Sequence, residues 1–417
     1  MIHRRFLAAG WLALATLWVA CVPAGAASIA KQPKPVRAGT VAAGTVVAMG
    51  SAEARLIEVY RLAAAAQNRE ALTKAESLTN DYPTFHLAQL VYGDLLAART
   101  RAVQTVGDVP PALAHTAAPA LADLRDESLL RLKALRERPP AGAIPSQFLA
   151  LAPRNKHAIA VDTSRARLYL FENTATGLSL VADYYVSVGK SGTEKSVEGD
   201  LRTPLGVYFI TSNLDPKSLR DFYGAGALPI NYPNVLDSKR GKTGKGIWLH
   251  GTPPDQFARA PLATDGCIAM ANPDLDRIIR TVEIRTTPVV ISTHLQWVPA
   301  NAARAEGKPF EDVLQTWRQT KSSGNVTKLL DFYTPDFTSY GKTLNEWSPS
   351  LRTEVSKLGG RAIELKDLSY LHWKDTADTM VVTFGEVTAG AQSGPTKRQY
   401  WVRQGTQWKI FFEGVIG

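Results

Sequence analysis

Two short stretches carry the residue types that nucleophilic catalysis needs. Ile247-Trp248-Leu249-His250-Gly251 reads as a strand end bearing an imidazole, and Thr264-Asp265-Gly266-Cys267-Ile268-Ala269-Met270 bears a thiol. A free thiol titrates near pH ~8.5, so attack on an amide carbonyl needs a base to make the thiolate. His250 fits that role, since an imidazole can take the proton, hold the charge as an ion pair and return the proton to a departing amine. The imidazole must itself be oriented through its second ring nitrogen, by the Gly251 carbonyl or by the Asp265 carboxylate. Gly266 permits a tight turn that aims main-chain N–H groups at one point, as a tetrahedral oxyanion requires. The competing reading makes Cys267 a small buried hydrophobe with no chemistry.

These residues need a rigid frame. Short β-branched and aromatic runs broken by Gly, Pro and Asn occur at Ala158 to Val161, Leu168 to Phe171, Leu180 to Val188, Gly206 to Thr211, Ile247 to His250 and Pro288 to Ser292. They predict a mostly β catalytic domain over residues 148–295, with one helix from about Pro273 to Ile284 after the cysteine.

Only two cysteines occur in the 417 residues, which excludes a disulfide scaffold and multi-cysteine metal sites. Cys21 lies in a segment with Arg4 and Arg5, an apolar run from Phe6 to Ala20, and the small residues Ala24-Gly25-Ala26. That pattern predicts a cleavable signal peptide over 1–26 and a periplasmic protein. Trp18 stands where a lipobox needs an aliphatic residue, so lipid anchoring through Cys21 is not expected. The mature chain then keeps Cys267 alone, without a partner for an intrachain disulfide.

Lys and Arg total 48 against 38 acidic residues, a net charge of +10 that suits an anionic partner. The charges are spread along the chain and no recognition motif accompanies them, so no nucleic-acid partner is expected. The proposed chemistry requires no metal and no organic cofactor.

Flanking regions complete a multidomain chain. Residues 27–50 read as a linker, and residues 51–140 as a helical region holding a single tetratricopeptide-like pair, with a third helix from Pro119 to about Arg138. This region is read as a cap or homodimer contact. After a helical joint at Ala300 to Gly307, a helix from Pro309 to Thr320 continues toward Tyr333 past a break at Gly324. Strands follow at Ala362 to Tyr370, Thr379 to Thr388, Thr396 to Arg403 and Gln407 to Glu413, giving an α+β cone over 305–417. Its aromatics, Tyr333, Tyr340, Trp347, Trp373, Tyr400, Trp401 and Trp408, are read as core filling in preference to a ligand grip. The run Ser238 to Lys245 reads as a mobile basic loop before the histidine strand, either solvated or holding substrate carboxylates.

The ordered motifs Val188-Gly189-Lys190, Gly199-Asp200-Leu201-Arg202-Thr203-Pro204-Leu205-Gly206-Val207-Tyr208, Asn231-Tyr232-Pro233-Asn234, His250-Gly251 and Gly266-Cys267-Ile268 resemble the L,D-transpeptidase catalytic (YkuD) domain. The resemblance implies Cys267 as nucleophile, His250 as base and Gly251 as the orienting backbone, with Gly266 in the catalytic turn. It implies Asn231, Tyr232, Thr264 and Asp265 as substrate-binding residues, and diaminopimelate-containing peptide stems of peptidoglycan as substrate. The acyl group passes to an amine acceptor, a second stem or a protein, or to water. The family commonly has Ser-His-Gly-Cys and an Arg two places later, where this chain has Thr264-Asp265-Gly266-Cys267 and Ala269. Asp265 is expected to oppose thiolate formation, and the missing Arg to remove a carboxylate contact. The segment from Trp317 through Asp331-Phe332-Tyr333-Thr334-Pro335-Asp336-Phe337 to Trp408-Lys409-Ile410 resembles NTF2-like (SnoaL-like) domains. Together the two resemble a subgroup that includes three-domain L,D-carboxypeptidases setting cell shape in curved bacteria. The alternatives are therefore a transpeptidase, a carboxypeptidase trimming tetrapeptides to tripeptides, and a non-catalytic wall-binding scaffold.

Overall fold

The computed structural model describes residues 48–416. The predicted signal peptide, Cys21 and nearly all of the predicted linker lie outside the described residues. The end of that linker is a strand, β1 (Ala48–Met49), which runs parallel to the later strand Gly177–Tyr185 with Ala48 opposite Ala182.

Four helices follow: α1 (Ser51–Ala64), α2 (Asn68–Asp81), α3 (His86–Ala97) and α4 (Pro111–Arg136). Leu56 and Val59 of α1, Ala75 and Leu78 of α2, and Leu87, Ala88 and Val91 of α3 close one core with Phe85. The sequence reading misses α2 because its buried stripe is only Ala71, Ala75 and Leu78, a faint apolar period. It also starts the last helix too late. Pro111 takes the first-turn place given to Pro119, which lies inside α4.

The central β-rich region contains β2 (Ala143–Pro145), β3 (Phe148–Ala150), β4 (His157–Asp162), β5 (Arg167–Thr174), β6 (Gly177–Tyr185), β7 (Val188–Gly189), β8 (Gly206–Phe209) and β9 (Ala227–Pro229). Then come α5 (Val235–Lys239), β10 (Trp248–His250), β11 (Leu262–Thr264), β12 (Ile268–Ala269), α6 (Asn272–Thr281) and β13 (Pro288–Ser292). The main sheet has the order β1-β6-β5-β4-β13-β8. Its strands read as continuous apolar runs because both faces are covered. Ile159, Val161, Leu168, Leu170, Val289 and Ile291 point into the catalytic core, while Ala158, Ala160, Tyr169, Phe171, Val207 and Val290 point into the core of the carboxy-terminal domain. A small second sheet, β12-β10-β9, carries the histidine.

The carboxy-terminal part comprises β14 (Trp297–Pro299), α7 (Ala300–Ser322), α8 (Val326–Leu330), β15 (Tyr333–Ser339), β16 (Lys342–Thr343), α9 (Leu344–Leu358), β17 (Ile363–Lys374), β18 (Asp378–Thr388), β19 (Thr396–Gln404) and β20 (Gln407–Val415). The sheet order is β16-β15-β20-β19-β18-β17-β3, with register shifts in β17 and β19 that curve it. Strand β3 thus belongs to this sheet, although the sequence reading places its residues in the catalytic domain. A short apolar run such as Phe148-Leu149 fits either sheet, and its pairing with Tyr370 and Leu371 decides. The expected joint and the expected helix at Pro309 are one helix, α7. Tyr333, Trp373, Tyr400 and Trp401 are buried in the core, whereas Tyr340 is exposed.

Candidate active site

His250 ends β10, the middle strand of the small sheet, and sits opposite Ala269 of the parallel strand β12. Cys267 immediately precedes β12, so adjoining strands bring the two segments together. The imidazole is 1% exposed. Its Nδ1 lies 2.7 Å from the Gly251 carbonyl oxygen, which selects the tautomer with Nδ1–H donating and leaves Nε2 as the basic nitrogen. Of the two orienting groups left open by the sequence, the backbone carbonyl is the one in place. Tyr223 packs edge-on against the ring with centroids 5.2 Å apart, and Phe222 lies at 5.9 Å.

Gly251 is held in turn. Its N–H donates to the Tyr223 carbonyl, and a Cβ on it would meet Asn272 Oδ1 at 2.0 Å. Asn272 Oδ1 accepts from the N–H groups of Ala225 and Thr252, and its Nδ2 donates to the Thr252 carbonyl. One amide at the start of α6 therefore locks the loop behind the histidine.

Three residues define the thiol turn. Gly266 has φ of +121°, and a Cβ there would meet the Arg202 carbonyl oxygen at 2.6 Å. Its N–H donates to Thr264 Oγ1, while Thr264 Oγ1 donates to the Cys267 carbonyl at 2.7 Å. The Gly266 N–H is thus occupied, and its contribution to the turn is conformational. Thr203 Oγ1 donates to the Gly266 carbonyl and accepts the Gly189 N–H, tying the turn to the motif segments upstream.

Cys267 Sγ donates to the Gly246 carbonyl at 3.4 Å. Burial pushes the thiol up to about 11, against a favourable main-chain N–H from Trp248; Asp265 raises it further, and Lys195 and Arg259 oppose that. Burial likewise pushes His250 down to about 4, partly offset by the Gly251 bond, with the nearby Arg259 charge adding to the depression. Both shifts favour the uncharged forms of the thiol and the imidazole in the substrate-free site. Asp265 points outward and pairs with Lys190 at 3.0 Å, which softens its repulsion of a thiolate.

Asn231 and Tyr232 have other partners. Asn231 Oδ1 accepts the Phe209 N–H and lines a separate cavity with Arg285 and Arg398. Tyr232 is buried in the catalytic core, with its hydroxyl donating to the Thr243 carbonyl. The basic run is not free either: Lys239 pairs with Asp336, and Arg240 binds both Asp375 oxygens at 2.5 and 2.7 Å, fastening α5 to the carboxy-terminal domain. Sequence reasoning misses Asn272, Phe222, Tyr223 and Arg259. Asn272 has a signal, a helix-start position just before Pro273; the others lie in loops without a pattern. Among the described residues, no cluster of three or more His, Cys, Asp or Glu side chains is arranged to hold a metal.

Residues 156–291 match the L,D-transpeptidase catalytic domain (YkuD), and residues 310–414 match the Cds6 C-terminal NTF2-like domain. No curated protein matches the chain. Among solved structures, Bd1075 of Bdellovibrio bacteriovorus is 24% identical with a TM-score of 0.55, the match covering 65% of this chain and 97% of that one. The helical cell shape determining protein Pgp2 of Campylobacter jejuni is 23% identical with a TM-score of 0.51, covering 64% of this chain and 95% of that one. At these identities the two structures speak to the fold. The matched segments enclose the sheet that holds His250 and the turn that holds Cys267, and the chain carries an L,D-transpeptidase (YkuD) catalytic domain followed by an NTF2-like domain.

Proposed function

We propose that the protein is an exported periplasmic cysteine enzyme that acts on the tetrapeptide stems of peptidoglycan. The observation that carries this reading is the His250 Nδ1 bond to the Gly251 carbonyl, which turns a basic Nε2 away from the backbone on the strand beside Cys267. Sγ attacks the carbonyl carbon of diaminopimelate as its proton passes to His250 Nε2. The tetrahedral intermediate collapses, the C–N bond to D-alanine breaks, and His250 returns the proton to the departing amine. Water or an amine then attacks the thioester, giving up a proton to His250, and Sγ leaves and is reprotonated.

Because burial favours the uncharged thiol and imidazole, the proposed proton transfer and attack are coupled and occur when substrate fills the site. The likeness to a helical cell shape determining protein supports a role in cell shape. Purified tetrapeptide muropeptides incubated with the protein and weighed by mass spectrometry test the reading. Tripeptide monomers identify a carboxypeptidase and 3-3 linked dimers a transpeptidase, and Cys267→Ala abolishes either. If the wild type leaves every stem unchanged and forms no acyl-enzyme, the catalytic reading fails and the wall-binding scaffold replaces it.

A further inference from the structure

The segment between the histidine and the cysteine carries a cation that none of the reaction steps above uses. Arg259 is half-buried, and its Nη1 is buried without an acceptor. Among the described residues, no carboxylate forms a salt bridge with it. Burial lowers its affinity for the proton, with only Asp265 and Cys267 opposing. A desolvated guanidinium with an empty donor is costly unless something supplies the acceptor.

Its position is fixed. Tyr185 Oη donates to the Arg259 carbonyl at 2.9 Å, and the next carbonyls, of Ala260 and Pro261, accept from Ser187 Oγ and the Val188 N–H. The guanidinium lies over the Phe222 ring, 4.9 Å from its centroid, and that ring lies tilted beside His250 with centroids 5.9 Å apart. Arg259 also lines a cavity of about 420 Å³ between the helical region and the thiol loop, shared with His86, Asp123, Glu127, Gln256 and Ala263. Glu127 is already bound by Arg131, while Asp123 is exposed at the cavity wall.

We propose that Arg259 is the seat for the side-chain carboxylate of the diaminopimelate residue whose carbonyl is attacked. This rests on the stem-acylation reading and names the group that aligns the stem there. A guanidinium binds a carboxylate through two parallel N–H bonds, which fixes direction as well as distance. The opposing sign at Asp123 selects among the three free carboxylates of a tetrapeptide stem: that of the γ-linked glutamate, that of the diaminopimelate side chain and the terminal one. The diaminopimelate side chain ends in an ammonium and a carboxylate on one carbon, matching a cavity that offers both charges. Neither the glutamate carboxylate nor the terminal carboxylate of the leaving residue has a free amine beside it.

The test is a double-mutant cycle on the full chain, with Arg259→Gln or Arg259→Lys against stems amidated at the side-chain carboxylate or at the terminal carboxylate. Arg259→Gln is expected to lower kcat/KM for the unmodified stem on the order of 10- to 100-fold, the range for a hydrogen bond to a charged group. Side-chain amidation should cost the wild type a similar factor and the variant almost nothing more. Arg259→Lys should recover part of the loss. Additive losses, or non-additivity with terminal amidation instead, overturn the assignment. Alkylation of Cys267 by iodoacetamide should proceed in Arg259→Gln within a few-fold of the wild-type rate, which separates lost recognition from a collapsed site. Binding of the same stems to Cys267→Ala, with and without Arg259→Gln, reads the subsite without chemistry. Arg259-dependent binding in a protein that turns over no stem would sustain the subsite while the catalytic reading falls, and Arg259-independent binding would overturn the subsite alone.

Discussion

At the scale of single residues, the electrostatics of the site favour an uncharged Cys267 thiol and an uncharged His250 imidazole. Burial, the first cause of the raised thiol and of the lowered imidazole, acts on both groups in the direction that keeps them uncharged. A small neutral alkylating reagent reports the free enzyme's thiolate. Its rate with Cys267 should therefore climb about tenfold per pH unit through the neutral range and level off only near pH 11. Free cysteine levels off near pH ~8.5, so at pH 7 Cys267 should react more slowly than free cysteine even in a fully competent enzyme. A plateau near pH 6, read by mass spectrometry of quenched samples, would show a resting ion pair and contradict this electrostatic picture. Asp265→Asn removes a charge that disfavours the thiolate, so it should move the profile to lower pH. The displacement should be small, because Asp265 is exposed and already paired with Lys190.

At the scale of elements, Phe257 ties the helical region to the loop between His250 and Cys267. Phe257, in the loop between His250 and Cys267, packs on Phe85 with centroids 4.5 Å apart and on Tyr82 at 5.2 Å, and its N–H donates to the Thr84 carbonyl. That loop also carries Arg259. Phe257→Ala should destabilise the fold by about 3–5 kcal/mol, as for other buried aromatics, and should raise KM for stems by freeing the loop. Chemical denaturation and steady-state kinetics check the two effects, and unchanged stability would show that the helices merely abut the loop. The element scale also explains what the sequence reveals. The meeting of the His250-Gly251 and Cys267 segments is legible because their types and local order single them out, and the strands around them because their apolar runs are unbroken. Asn272, Phe222 and Arg259 are not, because they act through contacts between loops distant in sequence. The Asn231-Tyr232 motif is legible as a motif only. Its side chains make packing contacts and backbone bonds that type and spacing do not reveal.

At the scale of the molecule, the catalytic and NTF2-like parts share one interior. Ala158, Ala160, Tyr169, Phe171, Val207, Phe209 and Val290 from the main sheet lie in a single cluster with Phe310, Trp317, Tyr370, Trp401 and Ile410. Strand β3 precedes every strand of the main sheet but β1 in sequence yet joins the carboxy-terminal sheet, so the chain crosses between the parts before and after the active-site region. The pairs Lys239–Asp336 and Arg240–Asp375 add a polar fastening at the rim, worth far less than the apolar contact because both are partly solvated. Two domains joined only by a linker melt separately, whereas a shared apolar core makes the unfolding of one expose the other. Calorimetry of the chain from residue 48 onward should therefore show one transition for these two parts, with matching calorimetric and van't Hoff enthalpies. Ending the chain at Pro299 would uncover the apolar face of the main sheet, and that fragment should be insoluble or bind hydrophobic dyes. A soluble, active fragment melting at the full-length temperature would show that the NTF2-like part is an appendage, and the cone would then owe its place to a ligand of its own and not to support of the catalytic sheet.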